Sequence, residues 1–80
     1  MTQITYFTAV PFDYVAEAVV AGDPVQCSSP AVAIQRAQGL WKFFGHAGAV
    51  AISRTTDFEA GKIDVSQILR RFGEVPREYR

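Results

Sequence analysis

Residues 28–54, SSPAVAIQRAQGLWKFFGHAGAVAISR, indicate the fold more clearly than any other stretch of the sequence. Ser29 followed by Pro30 is typical of a helix start. The serine hydroxyl can accept from a free N–H of the first turn, and proline gives up only a donor that would be unpaired there. Gly45 is typical of a helix end, because glycine adopts a left-handed backbone without strain. The sequence therefore predicts a helix over about residues 29–44.

One face of the predicted helix is apolar. Apolar residues recur at spacings of three and four residues at Ile34, Ala37, Trp41 and Phe44, and the stripe is widened by Ala33 and Leu40. Gly39 lies mid-helix, where glycine costs about 1 kcal/mol relative to alanine, so we expect another backbone to approach it closely. Phe43 lies off the stripe, which fits either a contact with another segment or another subunit, or an aromatic residue that a small protein leaves partly exposed.

Strand patterns flank the helix on both sides. Residues 49–55 alternate, with Val50 and Ile52 on one face and small residues on the other. Because β-branched residues need burial, we expect this bulky face to meet the helix. Residues 3–10 alternate in the same way, and Pro11 is expected to end that strand.

Three further segments are less clearly determined. Residues 13–22 fit either a short helix or a strand, and their valines favour the strand. Residues 65–72 fit a helix that begins with a capping box, or a strand that pairs with residues 49–55. Local signals slightly favour the helix. The last residues, 74–80, are expected to form a flexible tail.

Together these patterns predict a single α+β domain over residues 1–80. We expect an antiparallel sheet of three or four strands, with the main helix (about 29–44) packed on one face. A short C-terminal helix or strand (about 65–72) completes the fold. The predicted core consists of Ile4, Tyr6, Ile34, Ala37, Leu40, Trp41, Phe44, Val50, Ile52, Ile68, Leu69 and Phe72.

Composition points to self-association. The chain has 80 residues, of which 49% are hydrophobic and 12% are aromatic. A domain of this size buries only about 60% of the surface of its extended chain, so its stability is marginal unless something adds to the core. The sequence has one cysteine and one histidine, which excludes an internal disulfide and a metal cage built from such ligands. We therefore expect a homodimer.

The charge balance argues against two classes of function. Eight basic and eight acidic residues give a formal net charge of zero, whereas general nucleic-acid and membrane-surface binders normally carry a basic excess. The first residues, MTQITYFTAV, lack the charged and apolar regions of a signal peptide. No segment reaches the roughly 20 apolar residues of a membrane span. We expect a cytoplasmic protein without membrane contact.

No residue pattern points to catalysis, a cofactor or a metal site. His46 is the only histidine and follows a helix end, where capping and solvent contact are ordinary. Cys27 is the only cysteine, and nothing near it supplies the positive charge that a reactive thiol needs. The glycines of GHAG at 45–48 precede a strand, which is the wrong order for a phosphate loop. We predict a protein that is not an enzyme and has no cofactor.

Four arginines and one aromatic residue are the candidate interaction residues: Arg36, Phe43, Arg54, Arg70 and Arg71. The leading hypothesis is a non-enzymatic interaction module that acts as a homodimer through protein–protein contacts, with an unidentified protein partner as a further option. It depends on the high apolar content and on the position of Phe43. The alternative is a weak nucleic-acid-binding protein that uses Arg54, Arg70 and Arg71 on phosphates.

Two segments of the sequence resemble a known group of proteins. The stretches AVAISRTTDFEAG (49–61) and ILRRFGEVP (68–76), preceded by an alanine-rich helix, are similar to a family of short uncharacterised bacterial proteins. The resemblance covers most of the chain and implies a bacterial source and a small domain that stands alone. That family has no assigned activity, so the resemblance implies no functional residue.

Overall fold

A computed structural model describes residues 3–57 and 63–79. Within these residues the chain forms one five-stranded antiparallel sheet with one α-helix packed on it. The elements are β1 (Gln3–Val15), β2 (Ala18–Ala21), β3 (Val25–Cys27), α1 (Pro30–Lys42), β4 (Gly48–Asp57), β5 (Ile63–Gly73) and a 3₁₀ turn (Arg77–Tyr79). The predicted α+β class with a helix on the sheet is confirmed, and the sheet has five strands rather than three or four.

β1 and β4 form the centre of the sheet. The strand order is β2-β1-β4-β5, and β3 pairs with β1 on the same side as β2. β1 and β4 pair without interruption from Gln3 opposite Asp57 to Phe12 opposite Gly48. One edge of the sheet is therefore shared by two short strands, and the other edge is β5.

β1 continues through Pro11, where the sequence predicted an end. The Pro11 carbonyl accepts a hydrogen bond of 2.8 Å from the Gly22 N–H. The missing N–H of Pro11 faces that same edge, because both backbone groups of a strand residue point to one side. Pairing on this edge is interrupted over residues 22–24. The proline is therefore tolerated, since the neighbouring strand breaks where β1 has no donor to offer.

Residues 13–22 form the end of β1, a tight turn and β2. The turn residues Ala16 and Glu17 have φ angles of 49° and 70°. Two positive φ angles are typical of the type I′ turn, whose twist matches that of the flanking strands. Residues other than glycine pay about 1–2 kcal/mol each for this backbone conformation. The strand that the valines favoured is confirmed.

Residues 65–72 lie in β5, so the helix that local signals slightly favoured is wrong. β5 pairs with β4 from Ile63 opposite Asp57 to Gly73 opposite Gly48, with a bulge near Leu69. A capping box favours a helix only locally. The hydrogen bonds and side-chain packing along the ten-residue strand β4 outweigh that preference. The loop that joins the two strands, 58–62, lies outside the described residues.

α1 begins as the sequence predicted. The Ser29 hydroxyl accepts a hydrogen bond from the Val32 N–H at 3.2 Å, and Pro30 is the first helical residue. The helix ends at Lys42, two residues before the predicted end, and Gly45 follows with φ of 78°. In the described part of the chain, no helix is long and apolar enough to cross a bilayer.

α1 packs on the small face of the sheet. Five fully buried alanines form the contact, Ala33 and Ala37 from the helix and Ala9, Ala49 and Ala51 from the sheet. We call these five side chains the alanine contact. The prediction that the bulky face meets the helix is wrong. Small side chains let the two backbones approach closely, and the partly buried apolar residues around them fill the margin.

The bulky face is buried by another part of the chain. Val50 and Ile52 lie with Val10 and Phe12 on the side of the sheet that faces away from α1. Residues 74–79, which belong to the predicted flexible tail, lie against this side. Val75 is buried there, and the Tyr79 ring lies 5.1 Å from the ring of Phe12. The sheet therefore has a core on each face.

The predicted core is partly wrong. Ala37, Val50 and Ile52 are buried as expected, and Ile34, Leu40, Ile68, Leu69 and Phe72 are partly buried against the two cores. Four residues that the sequence placed in the core are exposed instead: Ile4, Tyr6, Trp41 and Phe44. Ile4 and Tyr6 lie on the same face of β1 as Val10 and Phe12, away from α1, so the helix cannot cover them. The C-terminal segment packs on Phe12 and leaves this end of the strand exposed.

Two glycine-to-alanine substitutions should change stability in opposite directions. A Cβ on Gly48 would overlap the Glu74 carbonyl, so Gly48→Ala should lower the free energy of unfolding by about 3 kcal/mol. Among the described residues, no atom outside the neighbouring helix backbone lies within 4 Å of a Cβ on Gly39, so the expected close approach of another backbone is not seen there. Gly39→Ala should therefore raise the free energy of unfolding by about 0.5–1 kcal/mol. Urea unfolding of both variants measures the changes. A Gly48→Ala protein as stable as the wild type would contradict the described path of residue 74.

Candidate functional site

The candidate interaction residues lie on separate parts of the surface. Arg36 is exposed on α1, and Phe43 caps the end of that helix. Arg54 points away from α1, since it shares a face of β4 with Val50 and Ile52. Arg70 pairs with Ala51 and so lies on the helix side of the edge strand β5. The structure therefore does not bring these residues together into one site.

The face of the sheet that points away from α1 carries a shallow groove, and we call this face the open face. The groove has a volume of about 280 Å³. Its floor comes from β1 and β4, one wall from residues 21–26 at the interrupted edge, and the other wall from Tyr79. The lining residues are Tyr6, Thr8, Val10, Ala21, Gly22, Pro24, Gln26, Ile52, Arg54 and Tyr79. The break opposite Pro11 shapes the first of these walls.

Arg54 is the charged residue of the groove lining. It is exposed, and among residues 3–57 and 63–79 its side chain makes no hydrogen bond or ion pair. Arg71 differs, because its Nε donates a hydrogen bond of 2.7 Å to the Tyr79 carbonyl. Arg71 therefore fixes a wall of the groove, whereas Arg54 is available to a ligand.

A second feature is an aromatic cluster at the C-terminal end of α1, formed by Trp41, Phe43 and Phe44. We call it the aromatic end. Phe43 is 77% exposed and Phe44 is 71% exposed. Trp41 is half-exposed, and its inner side stacks on Phe72 with ring centroids 5.8 Å apart. Because the helix ends at Lys42, neither phenylalanine continues the buried stripe of α1.

The third feature is a hydrogen-bonded pair between β1 and the loop after α1. His46 Nδ1 lies 2.8 Å from Asp13 Oδ2, and the Ala47 N–H donates to Asp13 Oδ1 at 3.4 Å. Cys27 is remote from this pair, because it lies beside Phe7, six residues along β1 from Asp13. Its thiol donates weakly to the Val25 carbonyl and packs against the helix-side core. The pair therefore holds the loop on the sheet, with no thiol beside it to act as a nucleophile.

A hydrogen bond ties the C-terminal segment to β1. The Tyr14 hydroxyl donates to Glu74 Oε1 at 3.0 Å. This hydrogen bond, together with the negative charge of Glu74, raises the pKa of Tyr14 above its ordinary value. The bond therefore weakens when the phenol ionises, at a pH above the ordinary pKa of tyrosine.

Sequence reasoning missed both the groove and the Asp13–His46 pair. Asp13 and His46 are 33 residues apart, and no local pattern links them. The groove depends on Tyr79, in a segment that the sequence predicted to be a flexible tail. In the described part of the chain, no three His, Cys, Asp or Glu residues come together in a way that could hold a metal ion.

Comparison of the chain with protein-family models, curated proteins and solved structures finds no match. The functional assignment therefore depends on the geometry of the chain's own residues.

Removal of the Asp13–His46 pair should lower stability through one shared interaction. We expect Asp13→Asn and His46→Ala each to lower the free energy of unfolding by about 1 kcal/mol, and the double variant to lose less than the sum. Urea unfolding of the wild type and three variants completes the double-mutant cycle. Strictly additive losses would show that the two side chains act independently and would contradict the described hydrogen bond.

Proposed function

We propose that this protein is a non-enzymatic interaction module that acts as a homodimer through protein–protein contacts. The supporting observation is the position of its large apolar side chains. Phe12 and Val50 are the largest fully buried side chains in the described part of the chain, and the helix-side core is built from alanines. Phe43 and Phe44, by contrast, are largely exposed and remain available for contacts outside the subunit.

The aromatic end is the proposed contact surface. Single exposed apolar residues are normal in soluble proteins, but Phe43 and Phe44 are adjacent and almost free of intramolecular cover. Aromatic residues are enriched in the buried centres of interfaces, where they exclude water at little entropic cost. Lys42 adds a polar rim, with its Nζ 5.7 Å from the centre of the Phe43 ring.

A second copy of the chain is the partner that this surface fits best. A twofold axis brings the same patch of both subunits together, so aromatic rings meet aromatic rings. The formal net charge of zero means that two copies do not repel each other at long range. Dimerisation also supplies burial that the small alanine core does not provide.

Nucleic-acid binding has weaker support. A phosphate backbone is best bound by several cations on one surface. Arg54 and Arg70 lie on opposite faces of the sheet, and Arg71 already donates to the Tyr79 carbonyl.

The proposal that the protein is not an enzyme depends on the chemistry of its side chains, since Asp13 and His46 bind each other and a loop amide. A bacterial source and a cytoplasmic location stay predictions from the sequence.

Substitution of both exposed phenylalanines should abolish dimerisation without unfolding the protein. Phe43→Ser with Phe44→Ser removes apolar contacts from the interface but little from the subunit core. We expect the dimer dissociation constant to rise at least about 30-fold, the usual loss for one aromatic hot spot. Sedimentation equilibrium over a range of protein concentrations measures the change.

Val65→Thr is the matched control, because Val65 is also exposed but lies on β5, far from the end of α1 in the sequence. It should leave the dissociation constant within about twofold, a change worth less than 0.5 kcal/mol. Thermal unfolding of both variants checks the fold. A wild-type protein that stays monomeric, or a dimer that tolerates the double substitution, would contradict the proposal.

A further inference from the structure

We infer that the groove on the open face is a binding site for a small organic carboxylate with a flat apolar body. The site lies on the face opposite α1 and uses none of the residues of the aromatic end. The inference therefore goes beyond the proposed function and does not depend on dimerisation.

The charge of the groove selects a single anionic group. Arg54 is the charged side chain among the lining residues, and no described group neutralises it. A guanidinium binds a carboxylate through two parallel hydrogen bonds, which gives both affinity and a fixed orientation. A doubly charged phosphate would keep an uncompensated charge, because the described lining residues include no second cation. One arginine therefore matches one carboxylate.

Polar neighbours of Arg54 extend this end of the groove. Tyr6 pairs with Arg54 in the strand register, and Thr8 pairs with both Gln26 and Ile52. Hydroxyl and amide groups therefore lie beside the guanidinium, along two adjacent rows of the sheet. Such groups can orient the substituents of a ligand without adding charge.

The remainder of the groove is apolar. Val10 and Ile52 form its floor, and each is only 7–8% exposed, so a ligand there would rest on a packed surface. Pro24 lines the groove at the interrupted edge, and Tyr79, whose ring packs on Phe12, lines it as well. A flat ring that lies in the groove would contact these apolar groups. The groove therefore combines one cationic end with an apolar slot.

The slot is held open by contacts within the chain. The Tyr79 ring packs on Phe12, and its carbonyl accepts the hydrogen bond from Arg71. The floor belongs to the continuous ladder between β1 and β4. A ligand therefore orders little of the protein when it binds, and preorganisation of this kind favours affinity.

The size of the groove limits the ligand. A volume of about 280 Å³ lies just below the usual range for small-molecule sites, roughly 300–1,000 Å³. A compound with one ring and a carboxylate fits this space, whereas a nucleotide or a long acyl chain does not. Benzoate and phenylacetate are therefore suitable probes.

An NMR titration of the full chain with benzoate and phenylacetate tests the inference. We expect saturable shifts of the Thr8, Val10 and Ile52 amides with at least one of the two probes, and weaker binding of the neutral isostere benzamide. Arg54→Gln should raise the dissociation constant of the carboxylate at least about tenfold, equivalent to 1.4 kcal/mol. Arg70→Gln is the matched control, since Arg70 is an exposed arginine outside the groove lining. The affinity of this variant for the carboxylate should equal that of the wild type.

Three outcomes would overturn the inference. The first is the absence of saturable shifts at the groove with either carboxylate. The second is equal binding of benzamide and benzoate, or equal binding by the wild type and Arg54→Gln, because charge would then play no part. The third is tighter binding of phenyl phosphate, which would assign the site to a different anion. Each outcome is independent of the sedimentation result, so the dimer and the groove can fail separately.

Discussion

The contact between α1 and the sheet is made of alanine, and the rest of the structure follows from that. Ala33 and Ala37 meet Ala9, Ala49 and Ala51, and all five are fully buried. Because no large side chain separates the two backbones, the helix lies close to the sheet and the contact buries little volume. Phe7, Leu69 and Phe72 surround this contact and are only partly buried, while the cluster around Val50 finds its cover on the opposite face.

Both candidate surfaces are consequences of this arrangement. The C-terminal segment covers part of the bulky face through Val75 and Tyr79, and the uncovered remainder beside it is the groove. The helix directs its alanines toward the sheet and ends at Lys42. Phe43 and Phe44 follow that end and are exposed. These are the surfaces that we propose for a second subunit and for a small anion.

Local patterns predicted α1 and β4, but they favoured a helix where β5 forms and ended β1 too early. The partners of these elements depended on distant residues. Ser29 marks the helix start through its own hydroxyl, a property that four consecutive residues determine. The alternation around Val50 identified two faces but not the face that α1 covers. The sequence signal for the covered face was the occurrence of small residues on both the helix and one face of the strand. Tyr79 forms a wall of the groove only because β5 ends and the chain crosses the open face, which no local pattern specifies.

Methyl–methyl NOEs in the free protein test the central claim most directly, because they report which side chains lie in contact. The account predicts NOEs from the methyl groups of Ala33 and Ala37 to the sheet side of the alanine contact. It also predicts NOEs from Val50 to the side chain of Val75 on the opposite face. NOEs from the helix alanines to Val50 and Ile52 would place α1 on the bulky face and would contradict the account.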